Sequence, residues 1–548
     1  MDEARTRVLI VGGGPAGLVL AIELGRRGVP CIVFEEDPSP PNFPKANATS
    51  ARTMEYYRRL GFADRIRALG LPETYPADIS YHTRYATHEL ARLRGPSRRQ
   101  VEERRREANP QWPTPEPLHR GQQMLIEPVL KAEAERFPAV HMRFGWRVDA
   151  IEQSAEGVRV RAVDETGRAA WFAADYAVGC DGPRSLVRET LGIRYEGHGS
   201  EDREFLGGRM LAADVDMPAF YEFAGTGPSW QYWAINPERA GIVAAIDGRG
   251  RFVFHAQLPR GAAGSIAYAR ESLVLAAGRE FPYEIRAIEE WTAGFTLVAR
   301  RFGAGRVLIA GDAAHLFTPT AGQGYNTSVD DAVNLGWKLA AVCRGWGGPH
   351  LVASYDAERR PVGRRNTGYV RDIAGVFRSL DMPDALEANG AEGDAARAAY
   401  APRLQKYAAR EFLTPGLQFG VYYGASPIVA AEPGEKPVDD PHIYRPNAKP
   451  GARAPHVWLD DCAALFDRFG RDFTLLALGA VDGAASLVRA AERRGVPLRV
   501  VAVDNDEARD LYAARFVLVR PDHHVAWRGD RPPEDPAALL ARVTGFGR

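Results

Sequence analysis

Lysine and cysteine are scarce in this chain. Six of its 70 basic residues are lysines (Lys45, Lys131, Lys338, Lys406, Lys436 and Lys449), so nearly every positive charge is a guanidinium, a bias expected of a GC-rich genome. The four cysteines, Cys31, Cys180, Cys343 and Cys462, stand more than a hundred residues apart, which excludes a CxxC redox pair, a local metal knuckle and a secreted disulfide framework. No apolar run approaches the roughly 18 residues of a membrane span, and the first residues carry no export pattern. Net charge is absent too: 70 Lys+Arg are balanced by 70 Asp+Glu, leaving no global field to draw the chain to nucleic acid or to an anionic membrane. The expectation is a cytoplasmic protein that binds neither.

What remains is an ordinary globular composition, 45% hydrophobic and 26% charged over 548 residues, enough for roughly three to four structural units. Val8-Leu-Ile-Val11 is a short apolar run that ends in glycines, as a buried parallel strand does. Leu18, Ile22 and Leu24 then recur at helical spacing, Gly28 stops the helix, and Cys31-Ile-Val-Phe34 is a second strand. The first 36 residues therefore predict the opening unit of a doubly wound α/β fold. Runs at 176–178 and 306–310 each end in a Gly/Asp pair and predict further strands of the same sheet, so the domain is discontinuous. Between them, 205–300 alternates like β-structure and carries Trp230, Tyr232, Trp233, Phe252 and Phe254, as suits a sheet over a ligand. The mixed-charge run 97–107 predicts a solvated helix or loop. The proline-rich stretch 431–452 predicts a linker.

Gly12-Gly13-Gly14-Pro15-Ala16-Gly17 fits G-x-G-x-x-G and lies between a predicted strand and a predicted helix, the context a dinucleotide needs. The first glycine permits a tight turn, the second lets a pyrophosphate approach the backbone, and the third allows close helix packing. Glu35, at the end of the second strand, is placed to accept ribose hydroxyls and disfavours a phosphorylated ribose, so FAD or NAD is expected there. In Gly311-Asp312-Ala-Ala-His315, the aspartate can accept a ribityl hydroxyl. Pro319-Thr320-Ala-Gly322-Gln323-Gly324-Tyr-Asn326 then presents backbone N–H groups and a helix start to a group that gains negative charge.

Cys180-Asp181-Gly182-Pro-Arg184-Ser185 resembles the DG motif of class A flavoprotein monooxygenases, and the 311–339 block resembles their GD motif almost position for position. Arg120 and Gln123, with Glu127 four residues after the glutamine, are similar to that family's FAD contacts, Gln122 being expected as a solvated neighbour. Residues 450–456 and 520–528 resemble the carboxy-terminal thioredoxin-like domain of the phenol and polyketide hydroxylase branch, here without CxxC. The chain departs from the family's pattern at Lys45, where Arg is common, and at Ala321, where the loop often has Gly, a change expected to be mild.

The resemblance implies a Rossmann-like FAD-binding domain (1–75, 116–190 and 300–375), an inserted β-sheet substrate domain (76–115 and 191–299), a helical segment (376–430), the linker and a thioredoxin-like domain (453–548). It implies bound FAD held by Gly12, Gly14, Pro15, Ala16, Gly17, Glu35, Arg120, Gln123, Asp181, Gly182, Gly311, Asp312, Pro319, Gly322, Gly324 and Asn326. NADPH or NADH binds only transiently, with Arg52 and Arg184 as candidate phosphate contacts. The implied activity is hydroxylation of a phenolic or polycyclic aromatic substrate, with dioxygen activated as a flavin hydroperoxide. Asn47, Pro319 and Thr320 are the candidate catalytic residues. Asn47, Arg209, Tyr232, Trp233 and Pro319 are the candidate substrate contacts, and Tyr232 or His315 could relay a proton through water. Baeyer–Villiger insertion or epoxidation on the same scaffold stays open, as does a flavoprotein that only sequesters an aromatic natural product, and so does a homodimer. A flavin halogenase is excluded, since no lysine lies between Lys45 and Lys131.

Overall fold

The computed structural model describes residues 4–104, 107, 111–199, 206–378, 380–479 and 481–547. Its organising sheet has six strands in the order Gly303–Ala304, Val307–Ile309, Tyr176–Gly179, Val8–Val11, Cys31–Glu35 and Val140–Phe144, all parallel except the first pair. Strands far apart in sequence meet at its centre, where Val8, Leu9, Ile10, Val178 and Ile309 are fully buried. This is the discontinuous α/β layer expected from the sequence. The Pro15–Gly25 helix leaves the sheet through Gly12, whose φ is +106° and where a Cβ would lie 2.2 Å from the Cys180 carbonyl oxygen. Gly17 is equally constrained, since a Cβ there would sit 2.0 Å from the Gly12 oxygen.

A seven-stranded sheet carries the order Glu284–Ala293, Gly208–Asp216, Arg251–Gln257, Gly241–Ala245, Gln231–Ala234, Ile79–His82, Glu89–Leu93. Successive side chains along a strand point to opposite faces. One face carries Leu211, Tyr232, Val243 and Phe254 and packs on Ala269, Leu273 and Ala276 of the Ile266–Ala277 helix. The other carries Ala212, Trp233, Ile242 and Ala244 and closes over a cavity. The Ala391–Phe412 helix packs beside the Glu89–Leu93 edge through a stripe of Tyr400, Leu404, Tyr407 and Ala408. A further four-stranded sheet, Ala4–Arg5, Ala169–Ala174, Val158–Asp164 and Trp146–Gln153, was not anticipated.

The 97–107 run forms the Arg98–Glu103 helix with no buried residue, closed by a Ser97/Gln100 capping box; residues 105 and 106 lie outside the described residues. The 431–452 stretch holds no helix or strand, yet it is not a free tether. Tyr444 packs on Phe419, and a Cβ at Gly416 would lie 1.7 Å from the Asp440 oxygen. Beyond it, Phe473–Leu478, Leu498–Val503, Phe516–Val519 and Val525–Gly529 form a four-stranded sheet with helices Ala485–Arg494, Asp506–Tyr512 and Pro536–Val543. This unit is joined to the first through buried ions. Glu358 accepts from Arg520 Nη1 at 2.6 Å, Nη2 at 2.8 Å and Lys338 Nζ at 2.7 Å, while Arg453 pairs with Glu55.

Candidate active site

Two helices begin without a side-chain cap on the same side of the six-stranded sheet. The first, Pro15–Gly25, follows Gly14, where a Cβ would meet nothing within 4 Å; the second, Gln323–Cys343, follows Gly322 in the left-handed region. The first N–H groups of a helix have no intrahelical acceptor, so both ends are open to an anionic or electron-rich group. Glu35 Oε2 accepts the Gly13 N–H at 2.6 Å, which fixes the carboxylate beside the glycine-rich turn. Asp312 is exposed next to it, and a Cβ at Gly311 would lie 3.2 Å from the Ala16 methyl, so the two motif loops touch. An uncapped cradle with a carboxylate at either end fits the phosphates and hydroxyls of FAD.

The loops are braced from behind. Asp181 accepts Ser185 Oγ at 2.6 Å and the Val187 N–H at 3.1 Å, so its carboxylate caps the Leu186–Thr190 helix and orders the turn at Gly182. From that helix Arg188 donates to Tyr195 Oη at 2.7 Å, and Tyr195 donates to the Asp312 carbonyl at 2.5 Å, which ties the two motifs together. Asn326 is spent on the protein. Its amide donates to the Ala48 and Gly322 carbonyls at 3.0 and 2.7 Å and its oxygen accepts from Ser50 N and Thr53 Oγ1 at 2.8 Å, so it holds the 46–50 loop to the 322 turn and its side chain is no cofactor ligand. The Gln123 amide donates to Glu127. Gln122, expected in solvent, is 1% exposed.

Beside the cradle lies a cavity of about 410 Å³ between the seven-stranded sheet, the 43–50 loop and the 317–326 turn. Asn47, Pro319, Thr320 and Trp233 line it. Lys45 lines it too and acts electrostatically on Asp312 and Glu127. Arg120 faces the same space, with its guanidinium 3.6 Å above the Trp230 ring; burial pulls its pKa down to about 9.

Several expectations fail. Tyr232 cannot share a wall with Trp233, because adjacent strand residues point to opposite faces; its hydroxyl donates to the Gly227 carbonyl at 2.9 Å inside the core. Arg209 lies on that same far face, exposed and paired with Glu290. His315 is fully buried against Asp331 and does not line the cavity. Arg52 is 4% exposed and bonded to Glu55 and to the Asp522 carbonyl, so it is closed to a nicotinamide phosphate, whereas Arg184 is exposed. Ala321 has φ +59°, the left-handed region where glycine is favoured, so the alanine there is strained rather than a mild change.

The sequence reasoning missed Phe43, Trp291, His255, Phe412 and Glu411 on the cavity wall. Trp291 and His255 meet edge to face at 5.8 Å, and burial pushes His255 down to about 4, leaving a neutral imidazole. Glu411 goes the other way: burial outweighs the nearby Tyr407 hydroxyl and the Ala321 N–H and raises its carboxyl to about 7. From sequence, 400–412 stood only within the helical segment expected over 376–430, with none of its residues singled out.

Residues 5–369 match the FAD binding domain family and residues 447–546 the C-terminal domain of aromatic-ring hydroxylases. The chain is 32% identical to the FAD-dependent monooxygenase apdD of Emericella nidulans, over 98% of this chain and 90% of that protein. It is 31% identical to the aklavinone 12-hydroxylase RdmE of Streptomyces purpurascens, over 99% of each. Among solved structures, the rebeccamycin biosynthetic enzyme RebC with bound 7-carboxy-K252c superposes with a TM-score of 0.89 at 35% identity, covering 100% of both chains. A ternary complex of aklavinone-11 hydroxylase with FAD and aklavinone gives 0.80 at 28% identity, again over 100% of both. With the two uncapped helix ends and both motif loops in place, the chain belongs to the FAD-dependent aromatic-ring hydroxylases.

Proposed function

We propose that this protein hydroxylates a polycyclic aromatic substrate bearing a ring hydroxyl, using NADPH or NADH and dioxygen. The observation that carries this is the cavity: about 410 Å³ walled by Trp230, Trp233, Trp291, Phe43, Phe317 and Phe412. Gly322, Gln323 and Gly324 line the same space, so the flavin edge would share it, and what suits a flat multi-ring ligand is that aromatic side chains from the sheet, two loops and a helix end wall the remainder. FAD, when bound, supplies electron transfer from the nicotinamide and the activation of dioxygen.

The chain's own residues supply the rest. Gly12, Gly14 and the Pro15–Gly25 helix end would hold the pyrophosphate, Glu35 the adenosine ribose, and Asp312 the ribityl chain. The uncapped Gln323–Cys343 end would face the ring edge that becomes electron-rich. Aromatic walls exclude water and stack the substrate, Pro319 and Thr320 set its distance from the flavin, and Asn47 can hydrogen-bond a substrate oxygen. Arg120 offers a cation to an electron-rich ring or an acidic substituent. Baeyer–Villiger insertion and epoxidation share this scaffold, and no residue here favours them.

The test is NADPH or NADH oxidation by the FAD-loaded protein with a panel of phenols and polyketide aglycones under labelled dioxygen, with products read by mass spectrometry. Label in the ring of a polycyclic product supports the reading. Label confined to single-ring phenols refutes the polycyclic assignment, and binding without any oxidation points to sequestration.

A further inference from the structure

Glu411 sits in the last turn of the Ala391–Phe412 helix, on the cavity wall and 4% exposed. Its Oε1 accepts the Ala321 N–H at 3.2 Å, from the turn that leads into the Gln323–Cys343 helix. Its Oε2 is buried with no hydrogen-bond partner. The Tyr407 hydroxyl lies near enough to lower the proton affinity of Glu411, yet Tyr407 Oη also has no hydrogen bond of normal geometry. Tyr81 from the Ile79–His82 strand and Tyr369 from the Pro349–Arg378 helix are the other titratable groups that sense Glu411. No guanidinium or ammonium contributes to its proton affinity among the described residues. A half-satisfied carboxyl costs free energy that an apolar residue on this wall would avoid. Such a group makes sense if a ligand completes it.

The remaining polar groups on the wall are poorly matched to removing a proton near neutral pH. Asn47 has no basic atom, Lys45 is a cation, Glu289 is a solvent-exposed carboxylate at the cavity's sheet edge, and Tyr325 is half-buried with its pKa raised by desolvation. The His255 imidazole has a conjugate acid near 4, far too acidic to hold a phenolic proton. A general base works best when its conjugate acid titrates near the working pH.

We propose that Glu411 is the catalytic base for the substrate's ring hydroxyl, an assignment that rests on the aromatic-hydroxylase reading above. The substrate O–H bond breaks and a new O–H bond forms at Glu411 Oε2. The electron pair left on the phenolic oxygen is donated into the ring, and the activated ring carbon takes up the oxygen atom that derives from dioxygen. The carbonyl form of the ring then loses the hydrogen at the new C–O carbon to solvent as a proton, and its oxygen regains the proton held by Glu411. The carboxylate is thus restored, and the electrons for the second dioxygen atom come from the nicotinamide. Because Oε1 remains on the Ala321 N–H, the proton acceptor is registered to the turn beside Pro319 and Thr320.

The probe is 1,2-dihydroxyanthraquinone, whose visible band moves to the red when it loses a proton. It is titrated into the FAD-loaded full chain from pH 5 to 10, in wild type and in Glu411→Gln, which keeps the shape and an acceptor for Ala321. In wild type the red form of the bound dye should emerge with a midpoint near 7. In Glu411→Gln the phenolate fraction at pH 7.5 should fall at least tenfold, its midpoint moving upward. Equal midpoints, or a bound dye more ionised in the variant, overturn the assignment. Dye that does not bind wild type at all overturns the polycyclic reading and the assignment with it.

A ligand-free measurement separates the two failures. Infrared difference spectra of wild type against Glu411→Gln should show a protonated carboxyl lost near pH 7, and a carboxyl already ionised at pH 5 overturns the role of Glu411 alone. If Glu411→Gln does not retain FAD, Glu411→Asp is used. It should keep the midpoint near 7 with a smaller phenolate fraction, and an unchanged fraction overturns the assignment. For any polycyclic phenol that is turned over, Glu411→Gln should slow hydroxylation by about 10²–10⁴-fold at pH 7.5. The loss should shrink as the substrate's own hydroxyl becomes more acidic.

Discussion

His315 Nε2 lies 2.6 Å from Asp331 Oδ2, and that same oxygen accepts the Gly311 N–H at 3.2 Å. The other Asp331 oxygen accepts Arg359 Nε at 2.7 Å. The histidine of the GDAAH block is therefore a brace for the loop that presents Asp312. Burial alone would raise the Asp331 carboxyl; His315 and Arg359 together hold it below the usual range. Asp331→Asn leaves the buried Arg359 guanidinium to its longer, 3.7 Å pairing with Asp330 and should cost about 1.5–3 kcal/mol. It should also speed FAD loss, read as flavin fluorescence released on dilution. A variant with wild-type melting and FAD retention would remove the bracing role.

Ala321→Gly should stabilise the protein. A non-glycine residue in the left-handed region costs roughly 1–2 kcal/mol, and the extra freedom glycine brings to the unfolded chain returns roughly 0.5–1 of it. The expected net gain is roughly 0.5–1 kcal/mol, read as a higher urea midpoint at unchanged slope. A lower midpoint would mean that the alanine methyl packs better than its φ of +59° suggests.

The two strongest sequence signals were local. Gly17 is obligatory because a Cβ would sit 2.0 Å from the Gly12 oxygen, and Gly12 because its own φ is +106° as well as because Cys180 of a distant strand crowds it, so the fingerprint is written in six consecutive residues. The cavity was not legible in this way, because its wall comes from a loop at 43–50, strands near 212–291, a turn at 317–326 and the end of a helix at 411–412. Even so, two signals were present. Strict alternation along Gln231–Ala234 forbids Tyr232 and Trp233 from sharing a face. Tyr400, Leu404, Tyr407, Ala408 and Glu411 recur at helical spacing, so a carboxylate stood on an otherwise apolar stripe. The sheet through 146–174 shows in the sequence only as the alternation of Val158–Asp164, and its edge strand Ala4–Arg5 comes from far away in the chain.

The two faces of the substrate sheet should separate in mutants. Trp233→Ala strips an aromatic wall from the cavity and should weaken dye binding by more than tenfold, since truncating a large aromatic anchor costs about 2 kcal/mol or more. Tyr232→Phe removes a hydroxyl that accepts Ser229 N and donates to the Gly227 carbonyl, both in the core. It should lower stability by about 1–2 kcal/mol and leave the dye affinity within twofold. Equal effects on binding would contradict the assignment of faces.

The junction between the first unit and the carboxy-terminal sheet depends on charges that have no exit to water. Arg520→Met removes the buried cation of Asp522 and leaves Glu358 with Lys338 as its one remaining cation partner among the described residues, and should cost about 3–5 kcal/mol. Combining it with Glu358→Gln should recover part of the loss, because the second change removes one of the two carboxylates that Arg520 paired. A double variant less stable than the sum of the singles would show that Lys338, which burial lowers to about 8, cannot release its proton to compensate.

Glu411 also gives stability a pH dependence with a definite sign. Its carboxyl is raised from 4.5 to about 7 in the folded state, so the contribution is fully present below pH 4.5 and is lost as pH rises through 7. A shift of about 2.5 units corresponds to about 3 kcal/mol. Relative to wild type, Glu411→Gln should therefore gain about 3 kcal/mol of stability between pH 4.5 and pH 8, and the gap should stop growing once the wild-type carboxyl is ionised. Chemical unfolding of both proteins across that range measures the difference directly. A gap independent of pH would mean that Oε2 is already hydrated and ionised in the folded protein, and a gap that widens toward acid would require a carboxyl stabilised as the anion, in conflict with an Oε2 that has no partner.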